Sequence, residues 1–174
     1  MDKIAHIKKD KFGIWETPHF LYDHLLDTSE MMSKFAKIFN SSDCAKLIGY
    51  CHDVGKEPEH WQEYIRSKSG FENCGLKKQS GKIDHSSLGA IVINNMVVDK
   101  KFAKLLSYVV AGHHTGLQDY SGNSGSLSER LNTAIRYPIS DYLSSMINSL
   151  KDVKFPWNFE NKIDLALWIR MLFS

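Results

Sequence analysis

Histidine and aspartate fall at four places in this chain that could meet around a cation: His24, His52-Asp53, His85 and His113-His114. Neutral imidazole and carboxylate are both first-choice ligands for divalent transition metals. His52 and Asp53 close an apolar run, Gly49-Tyr50-Cys51-His52-Asp53-Val54-Gly55-Lys56. Neighbours on a helix point about 100° apart, which suits a carboxylate that bridges two ions. Two ions about 3.5–4 Å apart can hold an attacking hydroxide and steady both oxygens of a phosphodiester during in-line displacement. Ligation rich in imidazole, bridged by a carboxylate and free of thiolate, favours iron, manganese, cobalt or nickel over structural zinc. Of the eight histidines, His6, His19 and His60 are left over and read as surface or core-edge residues.

The elements that must position these groups are helical. Leu21, Leu25, Thr28, Met32, Phe35 and Phe39 alternate at spacings of four and three, which predicts a helix from Phe20 to about Phe39 with His24 on the flank of its buried stripe. Asn40 to Asp43 supply turn and N-cap residues for the next helix, which carries His52 and Asp53 and is read as ending at Gly55 in the left-handed conformation. A short helix follows Pro58, from Glu59 to about Ser67. Asp84 reads as an N-cap with His85 in the first turn, followed by inward Leu88, Ile91 and Val92. Gly89 and Ala90 leave room for a neighbouring helix. Phe102, Leu105, Leu106 and Val109 carry a further helix to His113. Leu127 to about Ile135 and Ser140 to Leu150 are expected to be helical. Residues 161–174 are apolar on nearly every side, the pattern of a fully buried helix. No strand pattern or repeat is evident, so the expected fold class is all-α. Between Arg66 and Ile83 periodicity vanishes, and the lysines there (Lys68, Lys77, Lys78 and Lys82) read as a solvated loop within reach of phosphates.

Composition narrows the function classes. The 174 residues suffice for one domain with a substantial core, and 43% hydrophobic with 24% charged residues is ordinary for a globular protein. A net charge of +2, from 22 basic and 20 acidic residues, argues against coating nucleic acid by bulk charge but leaves room for a local basic groove. Cys44, Cys51 and Cys74 form no CxxC pair and read as reduced thiols. With no secretory h-region and no apolar run of membrane-spanning length, the sequence is read as cytoplasmic, without a membrane partner.

The words around the candidate ligands are specific. His24-Leu25-Leu26, His52-Asp53-Val54-Gly55-Lys56, Asp84-His85-Ser86-Ser87-Leu88-Gly89-Ala90 and Gly112-His113-His114-Thr115-Gly116-Leu117 resemble the HD superfamily of metal-dependent phosphohydrolases. Within it they are similar to the HD nuclease domain of the CRISPR-associated type I nuclease–helicase. The resemblance implies an HD-domain helical bundle with one or two divalent metal ions between core helices. Asp53 would bridge them, with His24 and His52 on one ion and His85, His113 and His114 on the other. Lys56 would place a positive charge near the scissile phosphate, although its spacing alone equally suits a solvated lysine after a helix end. The implied substrate is single-stranded DNA cut without base preference. The implied partners are a helicase domain, in the same or a partner chain, and the CRISPR surveillance complex. Trp15, Trp61 and Tyr120 could stack on bases, with core packing as the competing use.

Two departures from the family pattern stand out. Thr115 occupies a position where the family often has a second glycine. The family also carries a further aspartate just beyond a stretch resembling Arg170 to Ser174, and Asp141, Asp152 and Asp164 do not match it. The expectation from this is that residues 1–174 are a single HD nuclease domain, the N-terminal fragment of a longer nuclease–helicase, with a weakened first metal site. Two other functions remain open: a phosphohydrolase of nucleotides or small phosphate esters, and a degenerate domain that binds DNA or a partner.

Overall fold

The computed structural model describes residues 2–72, 83–122, 125–156 and 161–173. Cys74, Lys77, Lys78 and Lys82 lie outside the described residues, as does Ser174. Among the described residues the chain is built of α-helices: α1 (Leu21–Ala36), α2 (Ser42–Cys51), α3 (Glu59–Ser69), α4 (Ser86–Met96), α5 (Lys100–Gly112), α6 (Leu127–Thr133), α7 (Asp141–Asn148) and α8 (Lys162–Phe173). Short 3-10 turns, Lys37–Phe39 and Val54–Lys56, follow α1 and α2. The expected helical bundle is present, with one addition. A two-stranded antiparallel ribbon, β1 (Ile4–His6) and β2 (His19–Phe20), precedes α1 and pairs His6 with His19. Strands this short show no alternation for a sequence pattern to reveal.

The core is shared by α1, α2, α4 and α5, with Leu21, Leu25, Leu47, Cys51, Val54, Ile93, Phe102, Leu106 and Val110 all buried. Two glycines set how closely the helices approach. A Cβ on Gly49 would stand 2.4 Å from the Ser29 Cα, so α1 crosses α2 at that point. One on Gly89 would stand 1.9 Å from the Cys51 carbonyl oxygen, so α4 rests directly on the end of α2, as the small Gly89-Ala90 pair suggests. Helix starts are capped by side chains: Asp99 accepts from Lys101 N and Phe102 N, Ser126 from Glu129 N, and Ser140 from Leu143 N.

Three expectations need correction. The buried stripe of α1 runs through Ser29 and Ala36, while Phe35 is 73% exposed. A helix has 3.6 residues per turn, so the buried face rotates past the 28–35 register that a repeat of seven suggests. Secondly, α8 is not fully buried: Trp168 and Leu172 enter the core, but Ile163, Leu167 and Met171 are exposed. Its buried side meets α5 and, through Trp168 Nε1 donating to Ser41 Oγ at 2.8 Å, the start of α2. Thirdly, Gly55 is not a left-handed helix stop, being absent from the positive-φ glycines. α2 ends at Cys51, and Gly55 belongs to the following 3-10 turn, where a Cβ would meet the His85 carbonyl oxygen at 1.9 Å.

Candidate metal centre

Asp53 lies one residue beyond the His52 cap of α2, with its side chain only 3% exposed. Its two carboxylate oxygens face different sets of histidines. Oδ2 lies 3.0 Å from His24 Nε2, 3.4 Å from His52 Nε2 and 3.9 Å from His6 Nε2. Oδ1 lies 3.3 Å from His85 Nε2 and 3.5 Å from His113 Nε2. The His114 ring completes the second group, 4.7 Å from that of His85 and 4.1 Å from that of His113. Donor atoms of Asp53, His85, His113 and His114 all fall within 4.8 Å of one another. The structure therefore brings together all six residues singled out in the sequence.

Each is placed by a local cause. His24 sits beside Leu21 and Leu25, which anchor α1 in the core. His85 precedes α4, whose start is held by Asp84 accepting from Ser86 N, Ser87 N and both serine hydroxyls. Asp84 thus caps the helix from one residue before the His85 N-cap. His113 follows the last residue of α5. Arg130 of α6 ties these two ends together. Its guanidinium donates to Ser87 Oγ at 2.8 Å, Ser86 Oγ at 2.6 Å and the Ala111 carbonyl at 2.6 Å, and pairs with Asp84. Sequence reasoning misses Arg130, because an arginine on a short polar helix reads as solvated.

The donor set calls for a cation. His52 Nδ1 and His113 Nδ1 lie 2.8 and 2.7 Å from the carbonyls of Gly49 and Val110, so each carries its proton there as a donor. The Nε2 atoms are then left as lone pairs aimed at a carboxylate. Asp53 Oδ1, His85 Nε2 and His113 Nε2 are buried without a hydrogen-bond partner. Asp53 Oδ1 and the His113 Nε2 lone pair are acceptors that face one another at 3.5 Å, so they repel and lack solvation, and a divalent ion between them removes both costs. The residues present fit such an ion. Asp53 stays a carboxylate despite its burial, with Lys56 Nζ 2.6 Å from Oδ2. Burial lowers His114 to about 4; burial, then the Lys56 charge, lowers His6 to about 4. Both rings are neutral at physiological pH, the form that ligates metals.

Lys56 is not a solvated lysine. Its side chain is 4% exposed, with Nζ 2.6 Å from Asp53 Oδ2, 3.4 Å from the Ala5 carbonyl and 5.3 Å above the Trp61 ring. His6 and His19 are exposed, as the sequence reading has them, but their rings pack edge-on against His24 at 4.6 and 5.0 Å, and His6 Nε2 comes within 3.9 Å of Asp53 Oδ2. The one signal for His6 is its place directly after the apolar pair Ile4-Ala5, both buried here. His60 remains apart, stacked on Tyr137. Trp61 is buried between Lys56 and His85 and is closed to bases, whereas Tyr120 is exposed. No helix among the described residues is long and apolar enough to cross a membrane. Cys44 and Cys51 are free and buried.

No curated protein matches the sequence. Residues 21–146, by contrast, match the family described as HD domain, a span that holds all six residues of the cluster and more than half of the chain. With His/Asp groups suited to divalent metal ions lying inside the matched span, this chain belongs to the HD domain family of the metal-dependent phosphohydrolase superfamily.

Proposed function

We propose that this chain is a metal-dependent nuclease that hydrolyses phosphodiesters of single-stranded DNA. We further propose that it works with a helicase module, in the same or a partner chain, in type I CRISPR interference. The observation that carries the phosphodiesterase reading is the division of Asp53: one oxygen faces His24 and His52, the other His85 and His113. Divalent ions held on both sides would supply an activated water and neutralise charge on the phosphoryl oxygens. The protein's own part is positional. The backbone-tethered rings of His52 and His113 fix the donor geometry, and buried Lys56 holds Oδ2 while adding a positive charge behind the reacting phosphate.

The choice of DNA rests on the resemblance of the four motif blocks, above all His113-His114-Thr115-Gly116-Leu117. Two surface features support it. A cleft of about 380 Å³ opens beside His85 and His114 toward Arg130 and Gln118, wide enough for a nucleotide unit. The β-ribbon that carries His6 continues into an exposed loop with Lys8, Lys11 and Phe12, and Lys9 lies over Trp15, the mixture of cations and rings that tracks single strands. That cleft also suits a mononucleotide, which keeps hydrolysis of nucleotides as the second reading.

The test is a panel of single-stranded DNA, duplex DNA and nucleotides with manganese, cobalt or nickel added. Metal-dependent cutting of single-stranded DNA, abolished in Asp53→Ala, is expected. Hydrolysis confined to nucleotides would replace this reading with the second, and binding of DNA without any hydrolysis would replace it with a degenerate binding domain.

A further inference from the structure

His6 lies outside the span that matches the HD domain family, yet it reaches the centre from a separately anchored element. β1 is fastened to the core at Ile4, whose N–H donates to Gln62 Oε1 at 2.8 Å and whose carbonyl accepts from Gln62 Nε2 at 3.0 Å. Gln62 in turn donates to the Lys56 carbonyl at 2.6 Å, and Leu21 N donates to the Lys3 carbonyl at 2.8 Å. With Ile4 and Ala5 buried on either side of the ribbon, the next side chain is delivered over the Oδ2 face of Asp53. A strand end tied this firmly to α1, to α3 and to the turn that carries Lys56 is more than a surface histidine needs.

The distances to Asp53 Oδ2 are those of donors that can share an ion with it. Two donors that share an ion at bonds of about 2.1 Å lie no more than about 4.2 Å apart. His6 Nε2 is 3.9 Å from Asp53 Oδ2, His24 Nε2 is 3.0 Å from it, and His52 Nε2 is 3.4 Å from it. Donor atoms of His6, His24 and Asp53 form a mutual cluster within 4.8 Å, separate from that of His85, His113 and His114 and joined to it by Asp53 alone. Lys56 Nζ is the competing occupant of this space, 3.5 Å from His6 Nε2. Against that alternative, an ammonium already donating to Asp53 and the Ala5 carbonyl does not require an imidazole edge-on to His24.

We propose that His6 is a ligand of the ion on the Oδ2 side of Asp53, so that this ion is held by His6, His24 and Asp53 while the other is held by Asp53, His85, His113 and His114. This rests on the reading that the centre takes divalent ions, but not on DNA being the substrate. This chain supplies three donors on the Oδ2 side and four on the other, and the Oδ2-side donors arrive from the β-ribbon, α1 and the turn after α2.

The test is manganese binding to the 174-residue chain, by equilibrium dialysis with metal analysis and by pulsed electron paramagnetic resonance of the bound ion. Wild type is expected to bind two ions. His6→Ala and the near-isosteric His6→Gln should each weaken one ion at least ~10-fold, leave the other unchanged and reduce the nitrogen coupling to the weakened ion. His85→Ala should weaken the other ion instead. Because the His6 side chain is half-exposed, the urea midpoint should hardly move, which separates ligation from folding. Unchanged stoichiometry, affinity and nitrogen coupling in both His6 variants would overturn the proposal and leave His6 as a brace for Lys56. No binding of manganese, cobalt or nickel by wild type would overturn the metal reading itself, and the proposal with it.

Discussion

Gly55→Ala tests whether the metal centre depends on backbone contact rather than on its ligands alone. A Cβ at residue 55 would stand 1.9 Å from the His85 carbonyl oxygen and 2.6 Å from its carbonyl carbon and Cα. These are backbone atoms, so no rotamer change relieves the clash. Ordinary contact begins near 3.4 Å, so the Val54–Lys56 turn and residue 85 must part by about 1.5 Å. His85 Nε2 is 3.3 Å from Asp53 Oδ1. If that displacement falls along the line between them, the separation grows to about 4.8 Å, beyond the ~4.2 Å available to donors sharing one ion. Overpacking of this kind costs about 1–3 kcal/mol of stability, and a 1 Å misplacement at a reacting centre can cost about 100-fold in rate. Urea unfolding, manganese titration and DNA cleavage measured on the same preparation check all three. A variant that folds with an unshifted midpoint, binds both ions with wild-type affinity and cleaves normally would refute the contact argument.

Other perturbations have equally defined outcomes. Lys56→Met removes the cation bonded to Asp53 Oδ2 while preserving much of its stem; cleavage should fall at least ~10-fold with metal content unchanged, and an unaltered rate would remove Lys56 from the reaction. Arg130→Met leaves Asp84 and the Ala111 carbonyl without their guanidinium, and should cost about 2–3 kcal/mol in urea unfolding and weaken the Oδ1-side ion; a change under about 0.5 kcal/mol would show that water replaces it. Burial pushes the Cys44 thiol up from its ordinary 9.0 to about 12. Between those values the unfolded chain has lost this proton and the folded chain keeps it, so the thiol's contribution falls as pH rises above 9, by up to about 1.4 kcal/mol per pH unit. Cys44→Ala should flatten that part of the stability–pH curve, and an identical slope in the variant would contradict it.

The ligand cluster is legible in the sequence because histidines at helix ends stand out against apolar runs: His52 after Ile48 and Cys51, His113 after Val109 and Val110. Helix positions are legible for the same reason, including the Gly89-Ala90 contact. What escapes the sequence depends on tertiary register. Phe35 and Ala36 differ by one residue, and which of them enters the core is decided by how α1 lies on α2 at Ser29 and Gly49. Gly55 reads as a helix stop because glycine often is one, but its close neighbour, His85, is thirty positions away in sequence. His6 escapes because a three-residue strand shows no period and its partner strand has two residues. The apolar content of α8 describes its composition, whereas its burial is limited to the side that meets α5 and the start of α2.

The tethering of His52 and His113 to Gly49 and Val110 has a further consequence. The last carbonyls of a helix have no amide partner within it, and at the ends of α2 and α5 each of these two is met by an imidazole Nδ1–H from three residues on. A ring that ends a helix on one nitrogen and faces Asp53 with the other couples fraying of that helix to ligation. Metal binding and helix-end opening are thereby linked equilibria: whatever free energy the ion gains from a fixed ring must be given up when the last turn opens. Amide hydrogens at the ends of α2 and α5 should exchange more slowly in the metal-loaded protein, while the start of α5, capped by Asp99 and remote from the centre, keeps its rate.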